Sequence, residues 1–368
     1  MAEVLCPYCW EGSKVKQLHQ FCPERCGRDD RVFYPASAKA CPHGQQSSGG
    51  RFCPHCDKLL EYDYITTKSR IIAMIGSKEA GKSTYVGVLI HELRNRIGTA
   101  FNGMSTELVG DKSRARYREV FAGPMYDNGV TVGGTDSVRA RYRLDPLLFM
   151  LRFPRRRLLG EQLTAAMMIF YDTAGEDVLL DENIERLVDY FDAADAIVFL
   201  VDPLQISSVR RGVDDSVPVP EVPADQVVIV ERLAALLRQR RGMGSAQRVA
   251  TPLAVAVAKT DALGAALPAN SAVRRPGCHD GFYDDGDGQY VHDEVRATLS
   301  GWADGEALLN AVATHFSSYR FFGVSALGVT PPAEGKISPS GIHPLRVEDP
   351  LLWLLGRFGL VPVRKAKR

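Results

Sequence analysis

Short, unbroken apolar runs recur along this chain, separated by longer stretches in which apolar residues return every three or four positions. The first pattern fits strands buried on both faces, and the second fits helices with one buried face. Ile71–Ile75, Ala196–Val201 and Leu253–Ala258 are the clearest strands, with Pro146–Phe153, Ala165–Tyr171 and Phe321–Val324 beside them. Ser83 to about Arg96 and Glu107–Phe121 have helical spacing, and Pro350–Phe358 reads as a closing helix that buries Trp353. Ala122–Gly129 is rich in turn residues and leads to Thr131–Thr135, while Arg155–Arg157 reads as a basic loop between two strands. Strands alternating with helices predict an α/β fold, three layers built as α/β/α around a mostly parallel sheet.

Two insertions interrupt that scheme, near residues 205–225 and 264–290, and both read as surface loops. Within the second, Asp285-Gly-Asp287-Gly288 with Glu294 has part of a calcium-loop pattern. The first ligand position would fall on Tyr283, which cannot serve, so calcium is rejected. Cys278-His279-Asp280 has no matching ligands and is expected to be loop chemistry without a role.

Cysteine usage changes the picture at the amino terminus. Seven of the eight cysteines lie in the first 56 residues, as Cys6-Pro-Tyr-Cys9, Cys22-Pro-Glu-Arg-Cys26, Cys41-Pro-His43 and Cys53-Pro-His-Cys56. A C-x₂-C knuckle sets two thiolates at the separation that tetrahedral zinc requires, and isolated core cysteines do not arrive in knuckles. Seven cysteines with His43 make eight ligands, enough for two closed, structural Zn²⁺ sites. Sequential pairing would join the first two groups and, separately, the last two. A zinc-ribbon arrangement, which the matched end knuckles favour, would join Cys6, Cys9, Cys53 and Cys56 and leave Cys22, Cys26, Cys41 and His43 for an inserted site. His19 and His55 are spare candidates. Residues 1–65 are therefore expected to form a zinc module, followed by a nucleotide domain over 66–362 and a basic tail at 363–368.

The strand Ile71–Ile75 runs into Gly76-Ser77-Lys78-Glu79-Ala80-Gly81-Lys82-Ser83-Thr84. This is G-x-x-x-x-G-K-[ST] between a strand and a helix, the context in which the glycines let backbone N–H groups close on a phosphate. Lys82 can reach the β- and γ-phosphate oxygens, and the Ser83 hydroxyl can ligate Mg²⁺. Asp172-Thr-Ala-Gly175-Glu176 follows the strand ending at Tyr171. There Asp172 can hold Mg²⁺ and the Gly175 N–H can bond the γ-phosphate. Lys259-Thr-Asp261 follows the strand Leu253–Ala258; Asp261 can accept from guanine N1–H and its exocyclic amine while the Lys259 stem lies over the base. Ser325-Ala326-Leu327 follows the last strand, where a backbone N–H would meet the guanine carbonyl oxygen.

These four elements in this order resemble the G1, G3, G4 and G5 motifs of TRAFAC-class, Ras-like GTPases, over roughly Ile71 to Phe358. The cysteine-rich start, Asp172-Thr-Ala-Gly-Glu176 and the ending Pro344-Leu-Arg-Val-Glu-Asp-Pro350-Leu-Leu-Trp353 are similar to the bacterial double-GTPase family. That resemblance implies a switch that binds GTP or GDP with Mg²⁺ and sits within multi-gene prokaryotic systems of conflict or defence type. It also implies a protein partner or activating protein, and allows dimerisation across the nucleotide face. Three positions depart from the pattern. Ala258 stands where the family usually has Asn or Thr, whose side chain ties this loop to the phosphate loop. The switch threonine is Thr135 by first choice and Thr131 by second. Glu176 replaces the usual water-orienting glutamine; a carboxylate there would be repelled by the γ-phosphate, or with a raised pKa would serve as a base. Slow intrinsic hydrolysis is expected, with Lys82, Thr135, Gly175 and Glu176 as the catalytic set.

With 45% hydrophobic and 24% charged residues over 368, the composition is that of an ordinary folded protein with a sizeable core. A net charge of +1 points to no class of partner; the basic clusters at Arg139–Arg143, Arg152–Arg157 and Arg364–Arg368 read as solvated faces, and the zinc module lacks the aromatic-basic interleaving of a nucleic-acid surface. No run reaches membrane-span length and no early apolar stretch looks like a signal, so a cytoplasmic protein is expected. Two other readings compete with the GTPase switch: a regulatory or assembly subunit that holds nucleotide with little hydrolysis, and an ATP-using P-loop NTPase in which Asp261 is an ordinary loop carboxylate.

Overall fold

The computed structural model describes residues 3–23, 26, 32–45, 49–101, 103–132, 146–157, 160–170, 184–214, 217–220, 224–332 and 335–365. The main sheet has seven strands: β1 (Ser69–Gly76), β2 (Ser105–Leu108), β3 (Leu147–Arg157), β4 (Gly160–Phe170), β5 (Ala196–Val201), β6 (Leu253–Val257) and β7 (Tyr319–Gly323), in the spatial order β7-β6-β5-β1-β4-β3-β2. Pairings from β7 across to β4 are parallel, and β3 and β2 complete the sheet antiparallel. Around it lie α1 (Lys82–Glu92), α2 (Gly110–Arg116), α3 (Ile184–Ala193), α4 (Gln226–Arg240), α5 (Asp285–Ser300), α6 (Gly305–His315) and α7 (Asp349–Arg357).

The unbroken apolar runs become strands with both faces covered. Along β1, Ile71, Ala73 and Ile75 enter one core with Phe199, Val255 and Phe321, while Ile72 and Met74 enter the other with Val198, Ala254 and Phe322. Alternate side chains thus serve opposite layers, as the period of a strand requires. The first core is closed by α3, α4, α5 and α6, the second by α1 and α7, where Trp353 is buried as its sequence context predicts.

The first core also contains Val4, Trp10, Leu18, Leu60 and Tyr64 from the cysteine-rich region. That region forms a hairpin of Glu3–Leu5 with Gly12–Lys14, and a small sheet of His19–Phe21, Phe33–Pro35, Arg51–Phe52 and Leu59–Leu60. The Trp10 ring lies 5.3 Å from the Tyr190 ring of α3, and the Tyr64 hydroxyl donates to Leu5 O at 2.5 Å. Tyr190 in turn receives a hydrogen bond from Met74 N and gives one to Ile72 O. The pairing of β4 with β1 ends at Ile71, so one hydroxyl satisfies β1 backbone groups beyond that point.

Three expectations need correction. Glu107 and Leu108 belong to edge strand β2, and the helix after it runs on as wider π-type turns to Asp127, through Pro124. Only Leu108 of β2 is buried, so the strand leaves almost no hydropathy signal. Arg155–Arg157 is not a loop: β3 and β4 pair in register from Leu147↔Phe170 to Arg157↔Gly160. Backbone pairing carries the hairpin past its apolar section, which hydropathy does not report. In the second insertion, α5 begins at Asp285 with Asp284 as its cap, accepting from Gly286 N at 3.0 Å and Asp287 N at 3.2 Å. The Asp/Gly-rich run that read as loop is a helix start.

Candidate nucleotide site and cysteine clusters

At the end of β1 a Cβ on Gly76 would lie 2.6 Å from Leu200 O, so glycine lets β1 and β5 approach there. The chain then turns through left-handed conformations at Glu79 (φ 62°) and Gly81 (φ 83°), and Gly81 caps α1. Among the described residues nothing lies within 4 Å of the position of a Gly81 Cβ, so there is space beside the backbone at the helix start. Lys82 folds back, its Nζ donating to Gly76 O at 2.9 Å and Ser77 O at 2.7 Å. Ser83 and Thr84 stand in the first turn of α1. A glycine-rich turn opening a helix presents N–H groups and a helix dipole to one point, an arrangement suited to an anion.

The neighbouring strand ends carry the other predicted segments. Lys259, after β6, is left-handed (φ 49°), and its Nζ meets Asp202 Oδ2 at 2.8 Å. Asp202 follows β5, is wholly buried, and also accepts from Leu204 N at 3.0 Å. Asp261 Oδ1 accepts from the Ser325 hydroxyl at 2.6 Å and Oδ2 from the Thr330 hydroxyl at 2.9 Å. Ser325 Oγ accepts from Gly328 N at 2.8 Å. Each carboxylate oxygen keeps a further lone pair, so Asp261 can still accept two donors side by side. Ala326 and Leu327, half-buried, follow Ser325 into the loop. Phosphate loop, Asp202, Lys259, Asp261 and Ser325 therefore gather along the carboxyl ends of β1, β5, β6 and β7, the edge where open parallel sheets bind ligands.

Thr135, Asp172, Gly175 and Glu176 lie outside the described residues. Thr131, the second-choice switch residue, donates its N–H to Gly335 O at 2.7 Å, next to a bridge between Val130 and Lys336. Sequence reasoning missed Asp202, Gln205, Gln226 and Thr330. Asp202 carried a signal: it ends a buried strand, as Asp172 does in the predicted pattern. Gln205 Nε2 donates to Lys78 O and Gln226 Nε2 to Ser77 Oγ, each at 3.3 Å.

The cysteines fall into two groups, Cys6, Cys9, Cys53 and Cys56 in one, and Cys22, Cys26, Cys41 and His43 in the other. This is the ribbon pairing, not the sequential one. Cys6 Sγ to Cys56 Sγ and Cys9 Sγ to Cys53 Sγ are both 3.7 Å, close to the ~3.8 Å edge of a tetrahedron with ~2.3 Å Zn–S bonds. In the second group Cys26 Sγ lies 3.2 Å from His43 Nδ1 and 4.0 Å from Cys41 Sγ. Backbone N–H groups of Tyr8, Val32, Gln45 and His55 point at sulfurs of the two groups, each at 3.4 Å. Burial pushes the Cys6 thiol up and raises Cys9 to about 12. Four clustered thiols cannot all ionise without a cation among them, so the donor sets fit metal.

His279, expected to have no role, is buried and donor or acceptor to Asp349 at 2.7 Å. Arg346 pairs with Asp349 at 2.8 Å and Asp287 at 2.7 Å, and Arg96 with Glu348 at 2.8 Å. Two guanidiniums already face these carboxylates, which makes the cluster an ion-pair network at the start of α7. Burial lowers the His279 pKa, but hydrogen bonding and charge from Asp349, with Glu348, raise it above the ordinary value.

A family model described as Double-GTPase 2 matches residues 70–325, well over half the chain. Among curated proteins, the chain is 28% identical over 349 residues to "Putative ESX-1 scaffolding and assembly protein SaeC" of Mycolicibacterium smegmatis (strain ATCC 700084 / mc(2)155), covering 89% of this chain and 85% of that one. Among solved structures, it resembles the GTP-bound GTPase-like domain of S. cerevisiae Ski7 at 13% identity and a TM-score of 0.34, covering 71% of this chain. The match spans less than half of that chain, 43%. The signal recognition particle receptor SRb-GTP/SRX complex from Chaetomium thermophilum is matched at 15% identity and a TM-score of 0.30, over 73% of this chain and 95% of that one.

Proposed function

The chain belongs to the Double-GTPase 2 family, and from that premise we propose that it is a GTP-binding switch that hydrolyses its nucleotide slowly. The observation that carries the reading is the meeting of Asp261 with Ser325 at 2.6 Å, on the same sheet edge as the phosphate loop. A carboxylate held there accepts from guanine N1–H and the exocyclic amine, two donors that adenine does not present together. Lys259, anchored at its Nζ, offers its aliphatic stem to the base plane. A backbone N–H of Ser325, Ala326 or Leu327 meets the guanine carbonyl.

At the other end, the N–H groups from Gly76 to Thr84 hold the phosphates, and Lys82 exchanges its loop carbonyls for phosphate oxygens. Mg²⁺ would neutralise charge between the β- and γ-phosphates, with Ser83, Asp172 and Thr135 as its ligands. Gly175 N–H reports the γ-phosphate, and Glu176 sets the attacking water while slowing its attack. An arginine from a protein partner would raise the rate by several orders of magnitude. Single-turnover rates for the wild type and Glu176→Gln test this, and a fast wild type that Gln slows would defeat it.

The two cysteine groups hold two structural zinc ions, and the region they order is a surface for partner contact. The description of the mycobacterial relative as a scaffolding and assembly protein supports a partner-binding output. The test of the whole reading is a titration of zinc-replete protein with fluorescent GTP and ATP analogues in Mg²⁺, beside Asp261→Ala. Tight GTP binding that the substitution weakens selectively supports the switch. Equal affinity for both nucleotides, untouched by the substitution, would make it a general P-loop NTPase.

A further inference from the structure

We propose that Gln205 and Gln226 are positioning residues for the phosphate loop, holding its first half in place of a side-chain tie that Ala258 cannot make. The proposal rests on the guanine-nucleotide reading of the site. Ala258, just after β6, has only a methyl side chain, so the first residue of the loop that carries Lys259 and Asp261 offers no side-chain hydrogen bond to the phosphate loop. Two glutamine amides reach that loop instead. Gln205 donates to Lys78 O and Gln226 to Ser77 Oγ, each at 3.3 Å, and both residues are only 5% exposed. Ser77 is itself fully buried.

Gln205 is locked in its orientation because its Oε1 accepts from Ala224 N at 2.7 Å. The excursion that begins after Gln205 therefore closes on itself just before Gln226. Asp225 caps α4 through hydrogen bonds from Val227 N at 2.9 Å and Val228 N at 3.2 Å, which fixes the Gln226 backbone. Gln226 also carries a stability cost: its Oε1 is buried with no hydrogen-bond partner among the described residues. An apolar residue would avoid that cost but could not reach the Ser77 hydroxyl. What the sequence presents as a surface insertion thus has both ends set beneath the loop that holds phosphate. Fixing Ser77 and Lys78 keeps successive N–H groups aimed at one point before the ligand arrives, which is where preorganisation gains affinity.

The experiment is dissociation of fluorescent GDP, chased with unlabelled GDP, from the full zinc-replete chain. The wild type is compared with Gln205→Ala, Gln226→Ala and Gln226→Ala/Ala258→Asn, and melting without nucleotide confirms that each is folded. Each single variant is expected to release GDP about tenfold faster, equivalent to about 1.4 kcal/mol. Adding Ala258→Asn to the Gln226→Ala background is expected to return the rate to within about threefold of wild type. Rates within twofold of wild type for both single variants overturn the proposal and leave the guanine reading standing, as does an acceleration that Ala258→Asn leaves in place. A wild type that retains no guanine nucleotide overturns both.

Discussion

Lys259 gives its ammonium group to Asp202 across 2.8 Å, and the carboxylate it meets is wholly buried. The pair joins the ends of β5 and β6 and sets the direction of the Lys259 stem. Asp202 spends its other oxygen on Leu204 N, so asparagine can preserve the turn while removing the charge. Asp202→Asn is therefore expected to lower melting temperature modestly, by about 1–2 kcal/mol of stability, because Lys259 is partly exposed and can rehydrate. Guanine-nucleotide affinity should fall about tenfold, read by titration calorimetry.

Ser325→Ala tests the other half of the base site. The Ser325 hydroxyl gives a charge-assisted hydrogen bond to Asp261 and takes one from Gly328 N. Its loss should weaken GTP binding by about 1–2 kcal/mol while leaving ATP binding unchanged. An equal loss for both nucleotides would mean that Asp261 does not read the base.

Metal removal should be visible in tryptophan emission. Trp10 follows the Cys6–Cys9 knuckle directly and packs against Tyr190. A strong chelator should release about two zinc ions per chain and shift emission to the red as that region unfolds. Cys9→Ser should release about one ion and leave the Cys22, Cys26, Cys41 and His43 group loaded. Metal analysis that finds no zinc in protein purified without chelators would remove this reading.

Stability should carry a pH signature from His279. Its raised folded-state pKa means that its contribution is complete below the unfolded value of about 6.5 and is lost as pH rises through the folded one. The groups facing it are Asp349, Glu348 and Arg346. Wild type should therefore melt about 2–4 °C above His279→Gln near pH 6, with the gap closing as the solution becomes alkaline. A gap that widens with pH would show that the imidazole is held neutral.

The parts of this molecule legible in its sequence are those where one residue type has one physical use. Gly76 and Gly81 bound a turn that side chains would block or strain, and the knuckle cysteines have spacing that few other purposes need. The buried strands β1, β5 and β6 announce themselves because both faces are covered. Gln205 and Gln226 were not legible, since an amide's partner is set by how the chain returns after an excursion, which local pattern does not encode. His279 was misjudged for the same reason: Asp349 lies far along the sequence, and only the packing of α7 brings it near. Edge strand β2 was hidden because a half-exposed strand has too few apolar residues to form a run.

Tyr190 gives the cysteine-rich region a reach beyond its own borders. Its hydroxyl is bound to Met74 N and Ile72 O of the strand that leads into the phosphate loop, and its ring rests on Trp10. If the two cysteine groups hold zinc as proposed, zinc supply becomes an input to nucleotide binding: a chain made in a metal-starved cell would lack the footing of the strand that presents Gly76. Nucleotide occupancy would then depend on two nutrients of the cell, its guanine pool and its zinc pool, and the second would act without ever touching the first.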